Sequence, residues 1–268
     1  MTSAPDSRPP PEASVGAGLN DLAPGKVPAV TLTFWLIKIL ATTLGETGGD
    51  AVSMSMGLGY ELSTVIFFAV FAVAVSVQIR ARSFLPFLYW STIIATTTVG
   101  TTLADFTTRS LDIGYAGGTA LLATLLLASL LAWRHAMGSV ALAAITSAKA
   151  EGFYWVTIMF SQTLGTALGD WTADSAGFGY AGATVLFSTL LGLTAACLRW
   201  SVISRTTLFW LAFILTRPLG AVLGDFLDKP LQHGGLALDR YAASLLLLGL
   251  VVACLVLLPQ RAAKTGSH

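Results

Sequence analysis

Four aspartates, Asp50, Asp105, Asp170 and Asp225, each stand fifteen residues after a tryptophan: Trp35, Trp90, Trp155 and Trp210. Five residues before each aspartate is a glycine, Gly45, Gly100, Gly165 or Gly220. A carboxylate is a hard oxygen ligand and can also hold a proton, so four in one register offer divalent-cation coordination or proton transfer. The first copy adds Glu46, one helical turn before Asp50, which places two carboxyls on one helix face. The other copies carry Thr101, Thr166 and Ala221 at that position, so a coordinating site leans on the first copy. The fourth copy adds Arg217 directly before Pro218. A proline inside a helix frees the carbonyl four residues earlier, and broken helices of this kind line sites in transporters. Glu46, Asp50, Asp105, Asp170 and Asp225 are therefore the candidate ion path and the candidate metal ligands, with Arg217 as counter-charge.

The competing reading makes the aspartates helix-packing groups, each bonded to Thr, Ser or backbone of a neighbouring copy. Four symmetric carboxylates repel one another unless a cation, a proton or Arg217 compensates, which favours the ion path. Asp170 with Asp174 and Asp225 with Asp228 extend the acidic character along the same helices. No enzyme chemistry is visible. His135, His233 and His268 are scattered, and Cys197 and Cys254 sit in apolar stretches without the spacing of a metal knuckle or redox pair. The Gly-x-Gly-Tyr segments at Gly57 and Gly177 read as turns, lacking the strand that a phosphate loop follows. The tryptophans read as interfacial anchors.

The elements that position these residues follow from composition. Of 268 residues 54% are hydrophobic and 11% charged, against roughly 25% charged in a soluble domain. Apolar stretches recur at about the 20-residue length that crosses a bilayer. The pattern predicts helices over 31–54, 61–80, 86–107, 115–133, 153–173, 180–199, 206–227 and 241–258. The fold class is an all-α polytopic membrane protein, with eight transmembrane helices as four parallel two-helix repeats. The first helix of each repeat is rich in Thr and Ser and forms the core, and the second is Leu-, Ala- and Val-rich and forms a jacket. Small-xxx-small pairs, Gly45/Gly49, Gly100/Ala104, Gly165/Gly169 and Gly220/Gly224, mark close packing of the core helices. Parallel repeats share an axis along the membrane normal, so four core helices form a ring around a centre.

The chain divides into a disordered tail over 1–28, a membrane half over 29–133, a linker over 134–152, a second half over 153–258 and a tail over 259–268. Basic residues such as Arg80, Arg82, Arg134, Arg205 and Arg261 fall in the tails and the even-to-odd connections, which puts both termini in the cytoplasm. A formal net charge of +1 with no basic cluster excludes nucleic acid as a partner. The expected partners are the lipid bilayer and a small ion or solute, and self-association stays open. No cofactor is expected, a divalent cation being the substrate.

The four-copy Trp…Gly-x4-Asp…Gly-Tyr unit resembles a bacterial family of uncharacterised membrane-anchored proteins defined by a repeat of unknown function, over nearly all of residues 31–258. That resemblance implies the inner membrane as location and says little about mechanism. Glu46-Thr-Gly-Gly-Asp50 also looks like a stretched form of the Glu-x-Gly-Asp motif of small cation exporters, departing from it by an extra residue and by Ala51 in place of a basic residue. The function expected is a secondary transporter exporting a divalent cation such as Mn²⁺, with proton coupling. The alternative is a non-transporting membrane scaffold or sensor.

Overall fold

The structure, a computed structural model, describes residues 26–111, 113–141, 145, 147–200 and 203–263. Asp112 and the outer parts of both expected tails, residues 1–25 and 264–268, lie outside the described residues. Among these residues eight α-helices follow in order: α1 (Leu32–Asp50), α2 (Gly59–Arg80), α3 (Pro86–Asp105), α4 (Gly114–Met137), α5 (Ala148–Asp170), α6 (Gly179–Trp200), α7 (Arg205–Asp228) and α8 (Arg240–Leu257). Among the described residues there is no β-strand, only an isolated bridge between Pro28 and Ala262.

Local signals set the boundaries. Thr31, Ser147 and Ser204 accept hydrogen bonds from the amides of Phe34, Ala150 and Thr207, capping α1, α5 and α7, while Pro86 opens α3. The linker is shorter than its predicted span, because α4 runs to Met137 and α5 begins at Ala148. Gly59, Gly114 and Gly179 take positive φ at the first residue of α2, α4 and α6, the backbone shape that lets the chain reverse after each of the first three core helices. In the first three repeats the aspartate is the last α-helical residue, and five residues of π-helix follow it: Ala51–Ser55, Phe106–Ser110 and Trp171–Ser175. Such widened turns are rare and gather at functional sites.

The odd-numbered helices form a closed ring in the order α1, α3, α5, α7 and back to α1. Each even helix lies on the core helix of the following repeat: α2 on α3, α4 on α5, α6 on α7, and α8 back on α1. No repeat is complete alone, and the last jacket helix closes the circle on the first core helix. Five helices, α2, α4, α6, α7 and α8, are long and apolar enough to cross a membrane. The core helices α1, α3 and α5 are Thr- and Gly-rich, and threonines such as Thr42, Thr97 and Thr166 are buried inside the ring. Thr43, Thr96, Thr98 and Thr163 return their hydroxyls to the carbonyl four residues earlier.

Glycines set the spacing of the ring. A Cβ at Gly45 would collide with Thr97, at Gly165 with Arg217 and at Gly220 with Thr42, and at Gly100 it would lie 3.0 Å from Gln162 Cβ. In every repeat this glycine faces the residue seven beyond the next repeat's tryptophan. The second members Gly49, Gly169 and Gly224 face Thr101, Ala221 and Glu46 in the same cyclic way.

The tryptophan end differs from the expectation of interfacial anchors. Trp90, Trp155 and Trp210 are buried inside the protein. The aromatic residue just before each tryptophan packs on the tryptophan of the next repeat: Phe34 on Trp90, Tyr89 on Trp155, Tyr154 on Trp210 and Phe209 on Trp35, with ring centroids 5.5, 5.7, 6.4 and 5.9 Å apart. Close aromatic packing, with the Trp210 indole donating to the Val140 carbonyl, outweighs exposure to the interface. Residues 26–28, placed by sequence in a disordered tail, instead cross this end of the ring. Ala263 donates to the Val27 carbonyl, Ala29 donates to the Arg261 carbonyl, and Lys26 pairs with Glu151 at 2.6 Å.

Candidate functional site

Successive turns of the four core helices stack side chains into layers across the ring axis. At the middle, Arg217 of α7 is fully buried and its guanidinium lies 3.0 Å from Glu46 Oε2 of α1. Arg217 also donates to Thr101 Oγ1 of α3 at 2.6 Å and to the carbonyls of Thr42 and Thr97 at 3.4 Å. The hydroxyls of Thr101 and Thr166 stand 3.2 and 3.4 Å from the same Glu46 oxygen. Helices α1 and α5 are diagonal in the ring, as are α3 and α7. Contacts across both diagonals mean that side chains fill the axis at this height.

One turn beyond this layer are the four repeat aspartates, all buried. They form two pairs, each clamped by a base. Lys229 Nζ lies 2.9 Å from Asp50 Oδ2 and 3.0 Å from Asp225 Oδ1. Arg109 lies 3.0 Å from Asp105 Oδ1 and 3.2 Å from Asp170 Oδ2. Rotation by two repeats exchanges Asp105, Arg109 and Asp170 with Asp225, Lys229 and Asp50, so the ring has twofold rather than fourfold chemistry. Arg240 of α8 adds a pair with buried Asp228 and approaches Asp50 at 3.9 Å. Among the described residues, five buried aspartates thus face three bases in this layer, an excess of two acids, while Glu46 and Arg217 balance each other. Asp50 Oδ1, Asp170 Oδ1 and Asp228 Oδ1 are buried without a hydrogen-bond partner among the described residues.

Of the five acids expected to ligate metal, Glu46, Asp50 and Asp225 come together. One carboxylate oxygen from each lies within 4.8 Å of the others, close enough to hold a single ion. Asp105 and Asp170 do not enter this group; they form the pair held by Arg109. Asp174 turns outward, accepting hydrogen bonds from Tyr115 and Tyr180. Arg217 sits in the middle layer and finds its carboxylate in Glu46.

Sequence reasoning missed Arg109, Lys229 and Arg240. The first two carried a readable signal, since each follows its aspartate by four residues. Arg240 had none: it reaches the site from the next helix, after a loop containing the short turn Leu231–His233.

A ring of four cyclically interlocked Trp-to-Asp helical repeats, with a buried charge layer at one end, defines the class. The family model described as Repeat of Unknown Function (DUF347) matches residues 33–84, 88–139, 153–204 and 208–260, and the chain belongs to that family. No curated protein and no solved structure matches it.

Proposed function

We propose that this chain is a secondary transporter of a divalent cation, with all eight helices crossing the bacterial inner membrane and both termini in the cytoplasm. The observation that carries the reading is the buried group Glu46, Asp50 and Asp225 in a layer with more acids than bases. Two surplus carboxylates match one divalent cation or two protons. Three carboxylate oxygens suit a hard ion such as Mn²⁺, Mg²⁺ or Ca²⁺. Intramembrane carboxylates are costly and serve ion pathways when they face a partner or a wet cavity.

Lys229 supplies a tethered cation for the same oxygens. Its ammonium bridges Asp50 and Asp225, and an incoming ion would displace it. Glu46 is shared with Arg217, so ion binding at Glu46 loosens the contact that closes the ring axis. Occupancy and opening are then linked, as a carrier requires. The filled middle layer argues against an open channel.

The pairing of the acids with Arg109, Lys229 and Arg240 favours a second reading, a static scaffold whose charges only hold helices together. Flux into proteoliposomes for a panel of divalent metals, with and without a pH gradient, separates the two. The carrier reading expects flux of at least one metal, with most of it lost in Asp50→Asn and Asp225→Asn. It fails if no metal moves under any condition. It also fails if an acid-to-amide variant that folds and inserts keeps every cellular phenotype of the wild type.

A further inference from the structure

Lys38 lies outside the charge layer. It belongs to α1, is 0% exposed, and reaches across the ring axis, with Nζ 3.5 Å from Gln162 Oε1 on the diagonal helix α5 and 4.0 Å from the centre of the Phe213 ring on α7. Among the described residues no carboxylate pairs with it. An ammonium held this way has one long hydrogen bond and an aromatic face for counter-charge, an expensive environment for a permanent charge. A lysine kept only for packing would be better replaced by an apolar residue, as Ile93 and Ile158 are at the matching positions of the second and third repeats.

The groups around it are few. Arg217 on α7 is one turn towards the aspartate end, and Glu46 on α1 itself is two turns that way. Towards the tryptophan end, Tyr89 of α3 and Tyr154 of α5 share a hydroxyl contact at 2.7 Å. Cys254 of α8 packs against the same aromatic cluster. Lys38 thus stands between the aromatic end and the Arg217–Glu46 pair.

We propose that Lys38 is the proton-carrying group of the cytoplasmic half of the ring, exchanging one proton with water for each cation that occupies the Glu46, Asp50 and Asp225 site. This rests on the transporter reading. In the step, the Lys38 amine takes a proton from hydronium, giving ammonium and water, and returns it to water in the reverse step. An ion that engages Glu46 leaves the Arg217 charge uncompensated one turn from Lys38, and two positive charges at that distance exclude each other. Cation and proton therefore alternate, which is antiport.

The test uses the full chain in proteoliposomes, with Mn²⁺ as probe. Lys38→Gln, or Lys38→Met where the first does not fold, should keep Mn²⁺ exchange at equal pH on both sides and lose stimulation by a pH gradient. Lys38→Arg, which cannot release its proton, should lose both. Gradient-driven flux at the wild-type cation-to-proton ratio in Lys38→Gln overturns the proposal while leaving the transporter standing. A second readout is nitrogen NMR of ¹⁵N-lysine protein, the Lys38 signal being the one lost in the variant. It should change protonation within the pH range over which wild-type flux responds. A signal fixed in one state across that range refutes the proposal, whereas absent flux in the wild type removes the transporter reading and this one with it.

Discussion

Replacing Glu46 by glutamine removes the only carboxylate within salt-bridge distance of Arg217 among the described residues. Arg217 keeps its 2.6 Å bond to Thr101 and two carbonyl contacts at 3.4 Å, but its charge stays buried at 0% exposure with no counter-ion. Breaking a buried pair from one side costs about 3–5 kcal/mol. The residual neutral bonds place Glu46→Gln near the lower end, about 3 kcal/mol. Arg217→Met alone should cost a similar amount, because it strands the Glu46 carboxylate among Thr101 and Thr166. The double variant Glu46→Gln with Arg217→Met removes both charges and should cost less than the sum of the singles by about 2 kcal/mol or more. Thermal unfolding of the purified protein in lipid reads this, as a fall in Tm of about 6–12 °C for each single variant. Single losses under about 1 kcal/mol, or a double variant whose loss is additive, would refute the central pair as the structure draws it.

Other outcomes follow from the same packing. Gly165→Ala would bring a Cβ to 2.5 Å from Arg217 Cβ and should destabilise by about 1–3 kcal/mol, whereas Gly192→Ala on the exposed face of α6 meets nothing within 4 Å and should be neutral or slightly stabilising by the same assay. Tyr89→Phe strands the buried Tyr154 hydroxyl and should cost about 1–3 kcal/mol in unfolding measurements. Lys229→Met removes the ammonium that competes for Asp50 and Asp225, so Mn²⁺ should bind at least about tenfold more tightly in a titration of the purified protein. A cysteine at Ser139, in the linker, should react with a membrane-impermeant thiol reagent only from the cytoplasmic side, and one at Gln232, in the opposite loop, only from the other.

Much of the architecture was readable because the repeat is written in residue types that mean one thing. Glycine ten residues after each tryptophan admits close helix contact, and the Thr-rich first helices could not all face lipid. What sequence could not show was how copies interlock. Trp90, Trp155 and Trp210 suit an interface as well as an interior. The choice is made by the aromatic residue that the preceding repeat sends onto each one, Phe34, Tyr89 and Tyr154. Equally, the four aspartates are alike in register, and their pairing is signalled only four residues further on. Their division into Asp50 with Asp225 and Asp105 with Asp170 is imposed by Lys229 and Arg109, which occur in the fourth and second copies while Met54 and Asp174 hold that position in the other two. The asymmetry that put Glu46 in one repeat and Arg217 in another did point to the centre, because both residues are unmatched in the other copies and meet there.

The claim that Glu46, Asp50 and Asp225 form a cation site is tested most directly by electron paramagnetic resonance of Mn²⁺ titrated into the purified full chain. One Mn²⁺ per chain should bind tightly in an oxygen environment, be lost in the Asp50→Asn/Asp225→Asn double variant and be retained in Asp174→Asn. A wild-type protein that binds no Mn²⁺, or a double variant that binds it as tightly as the wild type, would show that these three carboxylates are not a cation site.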